Sequence, residues 1–115
     1  MTFKVAVATS TGEYVDVHFG RADEFLIFEI NEDGTFIELE KRKNAPPCGA
    51  GGHDQNVMQT AVDLIEDVKV LLVANVGPAA INLLIEKKIK PYVTSYPVED
   101  ALKELSIREK ELHNK

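Results

Sequence analysis

The chain has 115 residues, 44% of them hydrophobic and 28% charged, which suits one ordinary soluble domain, residues 1–115, with room for a real core. Its formal charge of −6 argues against general affinity for nucleic acid or anionic membranes, whose binding needs clustered lysine and arginine. A single cysteine excludes an intrachain disulfide, the N-terminus lacks the basic leader of a signal peptide, and no stretch approaches the roughly 20 apolar residues of a membrane helix, so a cytoplasmic location is expected.

Phe3 to Thr9 alternates, with Phe3, Val5 and Val7 on one face and alanines on the other, and reads as a buried first strand. Thr9 to Gly12 is a turn. Tyr14 to Val17 reads as a short extended piece with Val15 and Val17 on one face, ending at His18-Phe19-Gly20. Glu24 to Ile30 is a second strand; the polar turn Asn31 to Gly34 joins it to Phe36 to Lys41, where Phe36, Glu38 and Glu40 alternate against Ile37 and Leu39, and a β-hairpin results. From Asp54 to about Asp67 the period becomes helical, with Val57, Met58, Ala61, Val62 and Ile65 on one face. Val70 to Ala74 is a continuous apolar run, as expected of a strand covered on both sides. Gly77 and Pro78 open a second helix with Ala80, Ile81, Leu84 and Ile85 as its buried stripe. Tyr92 to Thr94 is a short strand, a third helix starts just after Pro97, and past Arg108 a charged tail is expected to fray. This order predicts an α/β fold: a mixed sheet of about five strands, antiparallel in its N-terminal part, with flanking helices.

Asn44 to Gln55, N-A-P-P-C-G-A-G-G-H-D-Q, places the one cysteine and a histidine on a glycine-rich loop. Cys48 flanked by Pro47 and Gly49 is a poor core residue, although a lone cysteine is usually a small buried hydrophobe. Thiolate and imidazole together suit iron, copper or zinc better than magnesium or calcium. Cys48 and His53 are still only two ligands, and a site needs three or four. His18, followed by a glycine in V-H-F-G, is the candidate third, and it could equally hydrogen-bond at a strand end. Arg21 either pairs with Asp23 or Glu24 or faces an anionic ligand. Lys41, Arg42 and Lys43 lead into the loop; such a run is usually a solvated face, but here it would supply local positive potential.

Other chemistries lack their parts. Phe3 to Ser10 has none of the carboxylates that a two-metal nuclease needs on its first strand. G-A-G-G-H-D lacks the G-K-[ST] ending of a nucleotide-hydrolysing phosphate loop. A Cys48/His53 nucleophile pair for acyl transfer is chemically feasible, yet nothing in the sequence identifies an oxyanion hole or an orienting third residue.

The ordered set K-V-A-V-A, V-x-V-H-F-G-R-A-x-x-F-x-I-F-E, P-P-C-G-x-G-G-H, G-P-A-A-x-x-L and P-V-E-D-A-L-K-E-L covers nearly the whole chain and resembles the dinitrogenase iron-molybdenum cofactor-binding family, the NifX-like domain also found at the end of NifB. The resemblance implies a ribonuclease H-like motif without nuclease carboxylates. It implies noncovalent binding or carriage of an iron-sulfur or molybdenum-containing cluster, with no catalysis by the domain. Carried onto this chain, the cluster-binding residues are His18, Cys48 and His53, with Arg21 balancing charge. Expected partners are cluster donor and acceptor proteins and a P-loop ATPase, with no nucleic acid and no membrane. The alternatives are a metal-free interaction or regulatory module partnering such an ATPase, and a thiol enzyme. Lys87-Lys88-Ile89 departs from the family pattern, in which a glycine usually closes the second helix.

Overall fold

The computed structural model describes residues 2–43 and 55–113, with side chains described throughout except at 55–58 and 108–113. Strands β1 (Phe3–Val7), β2 (Glu24–Ile30) and β3 (Phe36–Lys43) come first, followed by α1 (Gln55–Leu64), β4 (Val70–Val73), α2 (Pro78–Glu86), β5 (Lys90–Val93) and α3 (Val98–His113). The strands form one sheet in the order β3-β2-β1-β4-β5. β1 pairs antiparallel with β2 and parallel with β4, β2 pairs antiparallel with β3, and β4 pairs parallel with β5. The mixed α/β sheet expected from the periodicity is therefore present. Among the described residues no helix is long and apolar enough to cross a membrane.

Alternation along β1 builds two cores. Ala6 and Ala8 face the layer of α1 and α2, where they pack with Phe19, Phe25, Ile27, Val62, Leu71 and Leu84. Val5 and Val7 face α3 and pack with Leu26, Val70, Leu72, Leu102 and Leu105. The alanines are small, and the large side chains of that layer come from neighbouring elements, Phe19 and Phe25 lying 5.8 Å apart. Val70–Val73 is buried throughout, as its uninterrupted apolar run requires.

Four local readings need correction. Tyr14 to Val17 forms no strand, only isolated bridges at Tyr14 and His18, and Val15 and Val17 serve opposite cores. Ile85 is 60% exposed, so the buried stripe of α2 is Ala80 and Leu84 with Ile81 half-buried. The charged C-terminal segment stays helical to His113. In β3, Phe28 pairs with Glu38 and Ile27 with Glu40, which leaves Leu39 as a bulge. Glu38 and Glu40 consequently lie on opposite faces, since every residue beyond a one-residue bulge changes side.

Candidate functional site

Because β3 and β1 both run antiparallel to β2, the carboxyl ends of β1, β3, β4 and β5 all reach one end of the sheet. β1 and β4 are neighbours whose outgoing connections diverge, one toward β2 and the other through α2 to β5. Such a divergence opens a crevice, the usual ligand position in open α/β sheets. The chain between β1 and β2 runs into it. Phe19 N–H donates to Asn75 O (2.9 Å), Ala74 N–H donates to Val17 O (3.0 Å), and His18 bridges Asn75 in the parallel sense.

The sequence stages this segment in steps. Buried Thr9 uses its hydroxyl oxygen to accept the Gly12 N–H at 2.9 Å, and Gly12, at φ +86°, takes a backbone shape costly for other residues. Asp16 then accepts from the Ser10 backbone N–H (2.9 Å) and hydroxyl (2.7 Å), and these bonds hold its carboxyl below the usual carboxylate range. Phe19 is buried in the α1–α2 core and anchors the residues on either side of it. His18 caps a short 3-10 turn, Phe19–Arg21, that sequence periodicity does not reveal.

His18 is exposed, and its Nδ1 accepts the Gly20 N–H at 3.4 Å, a long contact. With Nδ1 as acceptor, the neutral ring carries its proton on Nε2. A metal at Nδ1 would replace only the Gly20 contact, whereas a metal at Nε2 would require the other tautomer. A Cβ at Gly20 would come no nearer than 3.8 Å to its closest neighbour, His18 Nδ1, so the local fold does not itself demand glycine. Arg21 is exposed and makes no ion pair with Asp23, Glu24 or any other carboxylate among the described residues. An exposed imidazole, a neighbouring free cation and a backbone open to approach fit an anionic cluster. Among the described residues no group of three or more His, Cys, Asp or Glu is assembled to hold a metal ion, so His18 would be one donor of several.

Cys48 and His53 lie outside the described residues. Lys43, the last residue of β3, pairs with Glu24 at the same end of the sheet as His18. Arg42 does not contribute to a basic patch. It donates to Leu64 O (3.0 Å) and to both carboxylate oxygens of Asp67, and it also meets Glu40 Oε2 at 3.2 Å. Lys41 and Lys43 remain exposed. Asn75 opens the loop Asn75 to Pro78, which the sequence places beyond the carboxyl end of a parallel strand, but its pairing with His18 has no local signal beyond a polar residue closing the apolar run Val70 to Ala74.

A model of the family described as dinitrogenase iron-molybdenum cofactor matches residues 1–107. The chain belongs to that family. It is 30% identical to the FeMo cofactor biosynthesis protein NifB of Klebsiella pneumoniae over 106 residues, covering 85% of this chain and 22% of NifB. It is 28% identical to NifB of Sinorhizobium fredii over 77% of this chain and 18% of that protein. Protein NifY of Klebsiella pneumoniae is 29% identical over 75% of this chain and 35% of its own length. The chain thus spans about a fifth of the NifB relatives and about a third of NifY. Among solved structures, PH0822 superposes with TM-score 0.69 at 20% identity over 91% of both chains. A Thermotoga protein solved by NMR and described as belonging to the DUF35 family gives TM-score 0.58 at 26% identity, over 91% of this chain and 88% of that one.

Proposed function

We propose that this member of the family holds a preassembled iron-sulfur or iron-molybdenum-type cluster as cargo, at the carboxyl end of its parallel strands. It accepts the cluster from a donor and releases it to an acceptor protein, performs no catalysis, and works in the cytoplasm. The observation that carries this reading is the exposed His18 imidazole, pinned by backbone bonds into the crevice between β1 and β4. Arg21 offsets the negative charge of the cargo, and Cys48 and His53 complete the ligand set from the segment that follows β3. The hold is transient and noncovalent, as passage from a donor to an acceptor protein requires. We also read the β3-β2-β1-β4-β5 order as the ribonuclease H-like arrangement stripped of nuclease carboxylates. A P-loop ATPase of iron-sulfur metabolism is the proposed auxiliary partner, and the acidic balance of the chain speaks against nucleic acid.

The test is anaerobic reconstitution with iron and sulfide, or loading from an isolated cofactor, followed by metal analysis and visible absorption. His18→Ala should cut bound metal and alter the spectrum while leaving the folded far-UV signal unchanged. Gly20→Ala should retain stability and weaken loading, because among the described residues its methyl would meet nothing nearer than His18 Nδ1 at 3.8 Å and would stand where the cargo approaches. Cys48→Ser with His53→Ala should lose most of the remaining metal. Equal metal content and equal spectra in wild type and the His18→Ala/Cys48→Ser protein would refute the assignment.

A further inference from the structure

All three tyrosines of the chain gather at one corner of the molecule, where β5 meets the start of α3. Tyr92 and Tyr96, with Val93 and Thr94, line a cleft of about 220 Å³ whose remaining wall includes Leu72 and Leu105. Tyr14 is brought alongside by a short ladder: it bridges Pro97, Val15 N–H donates to Tyr96 O at 3.1 Å, and Val98 N–H donates to Glu13 O at 2.8 Å. Tyr14 is 51% exposed, Tyr96 56% and Val93 60%, a concentration of apolar surface unusual for a chain whose other aromatics are phenylalanines packed in or against the cores. Tyrosine combines a large rigid face with a polar tip, which suits it to surfaces that are alternately wet and covered.

The charges around this corner share one sign. Glu13, Glu99, Asp100 and Glu104 are exposed on the ladder and on the first turns of α3, and Lys103, 3.2 Å from Glu99, is the one cation among the described residues of those turns. Backbone pairing offers little here. Lys90 and Thr94 direct their N–H groups at β4, so Pro91 and Val93 hold the outward positions of this edge strand, and proline has no N–H to offer. A ligand at this corner must be read by side chains.

We propose that the corner docks a basic segment of a partner protein, whose arginine or lysine stems lie on the tyrosine rings and whose charges meet Glu13, Glu99 and Asp100. A second copy of this chain would bring the same acids face to face, and a nucleic acid or anionic lipid would meet like charge. The corner opens at the carboxyl end of β5, the same end of the sheet that presents His18. The inference stands on the tyrosines and acids and needs no cluster, so it can fail or hold separately from the cargo reading.

Metal-free, isotope-labelled full chain titrated with a short synthetic peptide of alternating arginine and leucine, followed by NMR, tests it. The expected result is saturable shifts confined to residues 13–15 and 92–100, with roughly tenfold weaker binding in Tyr14→Ser/Tyr96→Ser. The same spectrum elsewhere in that variant shows that the fold survives. A glutamate–leucine peptide should produce no shifts, and an arginine–serine peptide, which keeps every proposed contact, should shift the same residues. Shifts spread over acids on other faces, equal affinity in the double variant, or concentration-dependent shifts at the corner without peptide would each overturn the proposal.

Discussion

Lys88 carries a left-handed backbone, φ 63°, just beyond the C-cap Lys87 of α2. Its N–H donates to Ile85 O, the Ile89 N–H reaches back to Leu84 O at 2.9 Å, and buried Ile89 shares a core with Leu84, which together make a Schellman closure. Glycine fits that conformation without the steric penalty of a Cβ. Lys88→Gly should therefore raise stability by about 0.5–1 kcal/mol, read as a higher urea midpoint at unchanged slope. The missing glycine is visible in the sequence as Lys87-Lys88-Ile89; that lysine adopts the glycine conformation is visible only in the structure. His18 has the same character. The pattern V-H-F-G marks it, but its position depends on Asn75, a partner distant in the chain that no local period encodes.

Arg42 acts on whole elements: one guanidinium, its side chain 16% exposed, ties the end of β3 to the last turn of α1 and to Asp67 in the connection to β4, and Lys4 of β1 joins the same carboxylate at 3.1 Å. Hydrogen bonds from Arg42 hold Asp67 well below the usual carboxylate range, against the opposing effect of partial burial, and Lys4 adds to the lowering. Asp67 thus binds its proton more weakly folded than unfolded. Its contribution to stability is complete above its ordinary value of 3.8, begins to fall as the pH drops to that value, and goes on falling far beneath it. Arg42 is shifted upward and stays charged throughout. Asp67→Asn should flatten the acid limb of a denaturation-versus-pH series and leave the alkaline limb unchanged; an unaltered acid limb would contradict this account. The strands, both crossover helices and α3 are legible from period and capping residues. Ile85 is not, because helical spacing gives a stripe without its width, and the neighbours of α2 cover Ala80, Leu84 and parts of Ile81 and Leu83 but leave Ile85 exposed.

At the scale of the molecule, β3 and β5 are the two edge strands of the sheet among the described residues. Charged residues and a bulge blunt the first, and Pro91 blunts the second. Pro91→Val would restore an outward N–H beside that of Val93, and the variant should show concentration-dependent association by analytical ultracentrifugation where the parent shows less. Of the candidate residues, His18 and Arg21 are marked by their motif as lying near a strand end, and the structure puts them at the carboxyl end of the parallel strands, while Cys48 and His53 fall outside the described residues. The tyrosine corner is not legible there, since Tyr14 and Tyr96 meet only through the ladder between two loops. The bulge at Leu39 has a wider effect. Three cations stand in a row at Lys41, Arg42 and Lys43, and simple alternation from Phe36 would send Arg42 toward α3 and Lys41 toward α1. One inserted residue reverses that assignment, so the planar fork meets Asp67 and the two ammonium groups stay in water. Loss of the bulge with Leu39 retained, so that the strand alternated regularly from Phe36, would therefore act as a frameshift in space: with its composition intact, the strand would exchange the positive charge on one side of the sheet for that on the other.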